Sequence, residues 1–101
     1  MKVDEFNTLR EISIKPQSSQ RNLAKKLGFS LGKLNYCVTA LKIKGLIKLR
    51  NFKNSENKEK YTYLLTSKGF SEKAKLTIEF MKRKMKEYDE LKKELENLKD
   101  K

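Results

Sequence analysis

Lys33, Asn35 and Tyr36 are the side chains in this sequence best placed to do chemistry on a partner. They stand one or two positions from the apolar Leu34 and Cys37, so on a helix they point away from the buried stripe. An Asn amide pairs bidentately with adenine, and a Lys ammonium donates to guanine O6 and N7. A Tyr contacts phosphate or stacks on a sugar. Further candidates for a polyanionic partner lie on either side. Ser19, Gln20 and Arg21 open the preceding helix, where free backbone N–H groups suit phosphate. Ser30 and Gly32 open the helix that carries Lys33. Arg50, Lys53, Lys58 and Lys60 flank or occupy a basic loop, of the kind that follows phosphates or enters a minor groove. The plain alternative for each group is a solvated surface, and Glu56 and Glu59 dilute the charge of the loop.

The stretch from Ser19 to Leu49 holds the elements that must position these groups. It reads as a short helix, a tight turn, a longer helix and the start of a strand. That is the helix-turn-helix layout, which presents its second helix to the DNA major groove. Ser19 is a candidate N-cap, because its hydroxyl accepts from an otherwise orphan backbone N–H. Leu23, Ala24 and Leu27 face inward, and Gly28 supplies a left-handed turn. Ser30 is a second N-cap, flanked by Phe29 and Leu34 at hydrophobic-staple positions. The spacing predicts a helix over about 31–44, with Leu34, Cys37, Val38 and Leu41 buried. Gly45 and Leu46 fit a Schellman ending, Leu46 opposite Leu41.

Before this unit, Val3, Phe6, Leu9 and Ile12 form an i, i+3 stripe of a first amphipathic helix, which Pro16 and the polar Gln17, Ser18 and Ser19 close. After it, Leu46 to Phe52 alternates like a strand and Tyr61 to Leu65 is a second β-prone run. The polar KNSENKEK between them, Lys53 to Lys60, makes the tip of a hairpin. Thr66 caps a final helix entering at Ser67. Its apolar positions are Ala74, Ile78, Met81, Met85, Tyr88, Leu91, Leu95 and Leu98, at steps of 4, 3, 4, 3, 3, 4 and 3. That is a heptad seam with one stammer, on a helix reaching ~50 Å. No other segment is available to cover its outer half, so a second chain is expected there.

The chain has 101 residues and a net charge of +12. Residues 1–66 hold 14 Lys/Arg against 5 Asp/Glu, and residues 67–101 hold 11 against 8. The excess of +9 therefore sits with the helix-turn-helix, as nucleic acid requires. With no histidine and one cysteine, Cys37, neither a zinc site nor an intrachain disulfide is expected. Cys37 is most simply core filler. No phosphate-cradling glycine loop and no nucleophile motif occurs, so neither a cofactor nor enzymatic activity is expected. No apolar run approaches the roughly 20 residues that span a bilayer, and MKVDEFNTLR is no signal peptide. A reducing cytoplasm fits.

The segments SQRNLAKKLGFSLGKLNY, KGLIKLRNFKNS, YTYLLTSKGF and EFMKRKMKEYDELKKELENL resemble the short MarR-type regulators associated with bacterial exopolysaccharide gene clusters. The resemblance covers about residues 5 to 98. It implies a winged-helix DNA-binding transcriptional regulator, with recognition residues at Lys33, Asn35 and Tyr36 and a wing from Arg50 to Lys60. Larger MarR proteins dimerise through helices at both termini and often hold a ligand between them. Here the N-terminal helix is short and only the C-terminal helix is long, which argues against an effector pocket.

The expected fold is mainly α with a small β-hairpin. Residues 1–66 form a winged helix-turn-helix domain and residues 67–101 a dimerisation helix. The expected partners are double-stranded DNA and a second copy of the chain, with no membrane. A winged-helix interaction module working through its coiled coil is the competing function.

Overall fold

The computed structural model describes residues 2–16, 18–53 and 59–99. The elements in order are α1 (Val3–Ile14), α2 (Gln20–Leu27), α3 (Leu31–Ile43), β1 (Ile47–Lys53), β2 (Glu59–Leu65) and α4 (Ser67–Lys99).

Local chemistry sets most of the boundaries. The Ser19 Oγ accepts from the Asn22 N–H at 3.1 Å and the Ser30 Oγ from the Lys33 N–H at 3.1 Å, so both serines cap their helices. Gly28 and Gly45 both sit at φ 73°, in the left-handed region. The Phe29 N–H then reaches back to the Ala24 carbonyl at 2.8 Å, and the Leu46 N–H to the Leu41 carbonyl at 3.0 Å. These are two Schellman endings, each returning the chain so that an apolar residue folds over the helix it has just left.

The core lies where the three short helices meet the hairpin. Leu9 and Ile12 of α1, Leu23 and Ala24 of α2, and Leu34, Val38 and Leu41 of α3 pack with Leu46, Ile47, Tyr63 and Leu65. Cys37 is buried at 2 % exposure, as core filler should be. Val3 departs from the expected stripe and is half exposed. It stands in the first turn of α1, outside the core cluster.

β1 and β2 pair antiparallel, from Ile47 with Leu65 out to Lys53 with Glu59. The hairpin is longer than its apolar runs suggest. Lys53, Glu59 and Lys60, expected in the loop, are strand residues by backbone pairing. A ladder needs only N–H and C=O groups, so pairing continues past the last residue that has something to bury. The remaining tip of the expected loop, with Lys58, lies outside the described residues.

α4 is the long element, 33 residues from Ser67. The Thr66 Oγ1 caps it, accepting from the Gly69 N–H at 3.0 Å. The same hydroxyl donates to the Gly45 carbonyl at 2.6 Å, joining the start of α4 to the end of α3. The early turns of α4 pack on α1. Phe80 stacks on Phe6 with ring centroids 4.8 Å apart, and the Lys73 Nζ donates to the Ser13 Oγ at 2.8 Å. Leu76 and Thr77 are half-buried on the same side. This inner stripe escaped the seam pattern, because Leu76 and Phe80 follow a second helical period beside it. From Met81 to Lys99 every residue is exposed. The molecule is therefore elongated, 69 × 26 × 24 Å, with a radius of gyration of 18.2 Å, against about 13 Å for a compact chain of this length.

Candidate nucleic-acid interface

α3 exposes a row made by Asn35, Thr39 and Lys42, with Gly32 and Tyr36 beside it. Steps of four and three keep the three side chains in one line along the helix. Asn35, Thr39 and Lys42 share a cleft of about 530 Å³ with Ser18, Ser19 and Gln20 from the start of α2 and Leu49 and Tyr63 from the hairpin. The N-terminus of α2, the outer row of α3 and the base of the hairpin thus form one continuous surface. Thr39 and Lys42 were not among the residues picked out in the sequence. Their signal was the i, i+4, i+7 spacing from Asn35.

The three residues first singled out do not share one face. Lys33 lies two positions before Asn35, about 200° round the helix, and leaves on the side of α1. Its Nζ sits 3.0 Å from the Asp4 Oδ2 and 4.4 Å from the centre of the Phe29 ring. Both ends of the Lys33–Asp4 pair are about half exposed, so its worth is at most about 1 kcal/mol. Tyr36 stands on the same flank as Lys33, 60 % exposed, with the Lys2 ammonium 5.7 Å from its ring centre. Asn35 is exposed on the cleft side.

Gln20 is also committed within the fold. Its Nε2 donates to the Tyr63 hydroxyl at 2.7 Å, bridging α2 to β2 across the cleft. Ser19 and Ser30 are occupied as caps. Arg21 and Arg50 are exposed, and Gly32 is open, with no heavy atom within 4 Å of where a Cβ would stand. The side chains of Lys53 and Lys60, and all of Lys58, lie outside the described residues.

The charge is sharply divided. Between Glu11 and Glu56 the sequence has ten Lys/Arg and no Asp or Glu. α2, α3 and β1 consequently carry no carboxylate, while Asp4, Glu5 and Glu11 all lie on α1. Glu5, 4 % exposed, is neutralised by an ion pair with Lys44 at the end of α3. The Lys68 Nζ donates to the Lys44 carbonyl at 3.0 Å. The elements α2, α3 and β1 around Asn35 thus carry basic charge and no acidic charge, as a phosphate-rich partner requires.

Two tight helices, a left-handed glycine turn between them and a hairpin after them define the architecture. The fold is a winged helix-turn-helix. Residues 5–48 match the winged helix-turn-helix DNA-binding family model. The structure is similar to MepR, a transcription regulator of the Staphylococcus aureus multidrug efflux pump MepA, at a TM-score of 0.70 and 17 % identity over 89 % of this chain and 65 % of that one. It is similar to Streptococcus pneumoniae FabT in complex with DNA, at 0.63 and 22 % over 86 % and 59 %. It is also similar to the PcaV transcriptional regulator from Streptomyces coelicolor, at 0.67 and 17 % over 81 % and 57 %. Against PcaV and FabT the winged helix spans a little over half of the longer chain. A comparison with curated proteins gave no match. Among the described residues of this winged helix, no helix is long and apolar enough to cross a membrane.

Proposed function

We propose that the chain is a sequence-specific, double-stranded-DNA-binding transcriptional regulator acting as a homodimer, without enzymatic activity. The observation that carries this reading is the exposed row of Asn35, Thr39 and Lys42 on the second helix of the helix-turn-helix, in a cleft with the start of α2, where α2, α3 and β1 carry no carboxylate. An Asn amide and a Thr hydroxyl read base edges, while Lys42 and Arg21 serve phosphate. Arg50, Lys53, Lys58 and Lys60 serve as the basic wing, on the backbone or in the minor groove. α4 supplies dimerisation through Ala74, Ile78, Met81, Met85, Tyr88, Leu91, Leu95 and Leu98, which are all exposed. A cytoplasmic location follows from a partner that is chromosomal DNA. The link to exopolysaccharide gene clusters rests on the sequence resemblance.

The FabT structure with DNA supports the reading by its shared fold. Selection of bound fragments from a random duplex pool tests it directly. One recurrent two-fold motif is the expected result, and a pool that stays random after several rounds overturns sequence-specific binding. In fluorescence-anisotropy titrations, neutralising six to eight phosphates per dimer gives log K against log salt a slope of roughly −5 to −7. A slope near zero favours the interaction-module alternative.

A further inference from the structure

Past Phe80, α4 leaves the body of the domain, and its seam from Ile78 to Leu98 is more than half exposed at every position. An apolar stripe of that length marks an interaction surface. We propose that its occupant is a second copy of the chain lying parallel and in register. This rests on the homodimer reading above and adds the orientation.

The seam spacing is mirror-symmetric about Tyr88, with steps of 3, 4, 3 from Ile78 up to it and 3, 4, 3 from it to Leu98. Apolar layers therefore match in either orientation. A parallel pair sets each seam residue beside its own copy. An antiparallel pair centred on Tyr88 sets Met81 beside Leu95 and Met85 beside Leu91. Layer packing does not choose between them, and the charges flanking the seam do.

In a parallel coil, a g residue of one helix faces the following e residue of its partner, and these pairs set orientation. With Met85, Tyr88 and Leu95 at a positions and Tyr88, Leu91 and Leu98 at d positions, Tyr88 serves both frames at the stammer. Lys84 then faces Asp89 of the partner, Glu87 faces Lys92, and Glu94 faces Lys99. All three pairs are of opposite sign, and the two-fold axis makes each of them twice. The antiparallel arrangement brings like flanks together. Lys82 then meets Lys92, Glu87 meets its own copy and Asp89 meets its own copy, leaving Lys84 with Glu94 as the attractive pair. Each of these side chains is exposed in the single chain. Lys84 makes an exposed 3.5 Å ion pair with its own Glu87, weak enough to give way.

The position of the domain body permits this pairing. Gly69, Lys73, Leu76 and Phe80 face inward on α4, about 140° round the helix from Ile78, Met81 and Met85, the part of the seam nearest the body. Two bodies at the same end of a parallel coil therefore sit on its outer sides and do not collide.

Cysteine cross-linking tests the orientation in the full chain. Cys37 is buried at 2 % exposure, so the wild type serves as the control that forms no cross-link. Met81→Cys and Leu95→Cys are each expected to give a disulfide-linked dimer under mild oxidation, because a disulfide needs Cα atoms about 4.4–6.8 Å apart. If neither variant links alone while their mixture does, the pair is antiparallel and the inference is wrong, although the homodimer stands. If sedimentation finds the wild type monomeric, the homodimer and the orientation fall together, and DNA binding is judged separately by the selection above. Charge reversal gives a second reading. Lys84→Glu is expected to weaken the dimer roughly ten-fold, and adding Asp89→Lys to bring it back within about three-fold of wild type. Failure of the second change to restore it overturns the assigned pairing.

Discussion

Gly69 of α4 is pressed against the backbone carbonyl of Leu46. A Cβ at position 69 would overlap the Leu46 oxygen, which also accepts from the Thr66 N–H at 3.0 Å. The first turn of α4 thus docks on the end of α3 backbone to backbone, at a distance that only glycine allows. The link matters for the proposed function, since it fixes α4, the helix proposed to dimerise, relative to α3, the helix proposed to face DNA.

Gly69→Ala must push α4 off Leu46 or bend its first turn. Overpacking of this kind costs about 1–3 kcal/mol, so thermal unfolding followed by circular dichroism should show a melting point lower by about 4–8 °C per kcal/mol. Gly32→Ala is the contrast. Position 32 is open and helical, so alanine should stabilise by up to about 1 kcal/mol. A harmless Gly69→Ala would mean that the docking is looser than described.

The Thr66 hydroxyl both caps α4 and bonds the Gly45 carbonyl. Thr66→Ala removes both bonds and is expected to cost about 1–2 kcal/mol. Thr66→Ser keeps the hydroxyl and should recover most of that loss in a urea titration. Equal destabilisation by Ser and Ala would place the effect in the lost methyl group instead.

Asp4 holds Lys33 on the α1 side of α3. Asp4→Asn frees that ammonium and removes a negative charge near the basic surface. DNA affinity at low salt should rise by a few-fold, within the roughly 1 kcal/mol of an exposed pair. Unchanged affinity would show that Lys33 takes no part in binding.

Asn35→Ala and Lys42→Ala separate reading from holding. Loss of a base-edge contact should flatten preference at one position of each half-site, at about 1–3 kcal/mol. Loss of a phosphate contact should weaken all sequences alike and reduce the salt slope by about one per contact. Binding series on single-base operator variants compare the two. If Lys42→Ala changes base preference while Asn35→Ala does not, the roles are exchanged.

A chain ending after Lys82 retains the Phe6–Phe80 stack and the Lys73–Ser13 bond and loses most of the seam. It should fold with a near-native melting curve and sediment as a monomer. A dimeric truncated form would place the interface elsewhere in the domain.

Local chemistry was enough to read the elements. A capping serine bonds three residues ahead, a left-handed glycine closes its own turn, and apolar spacing follows the helical repeat. Ser19, Gly28, Ser30 and Gly45 were therefore legible, as were the α3 core stripe and the unpartnered seam of α4. Contacts between distant segments were not. Lys33 and Asn35 look like neighbours on one face until α1 brings Asp4 to Lys33 and the helical repeat separates them. Gln20 looks free for phosphate until β2 delivers the Tyr63 hydroxyl. Leu76 and Phe80 look incidental beside the seam until α1 lies along them, and Gly69 gains its meaning from Leu46. Each of these depends on which elements meet and at what distance. Helical period and cap chemistry act within a few residues, whereas that meeting is decided by how the whole core closes.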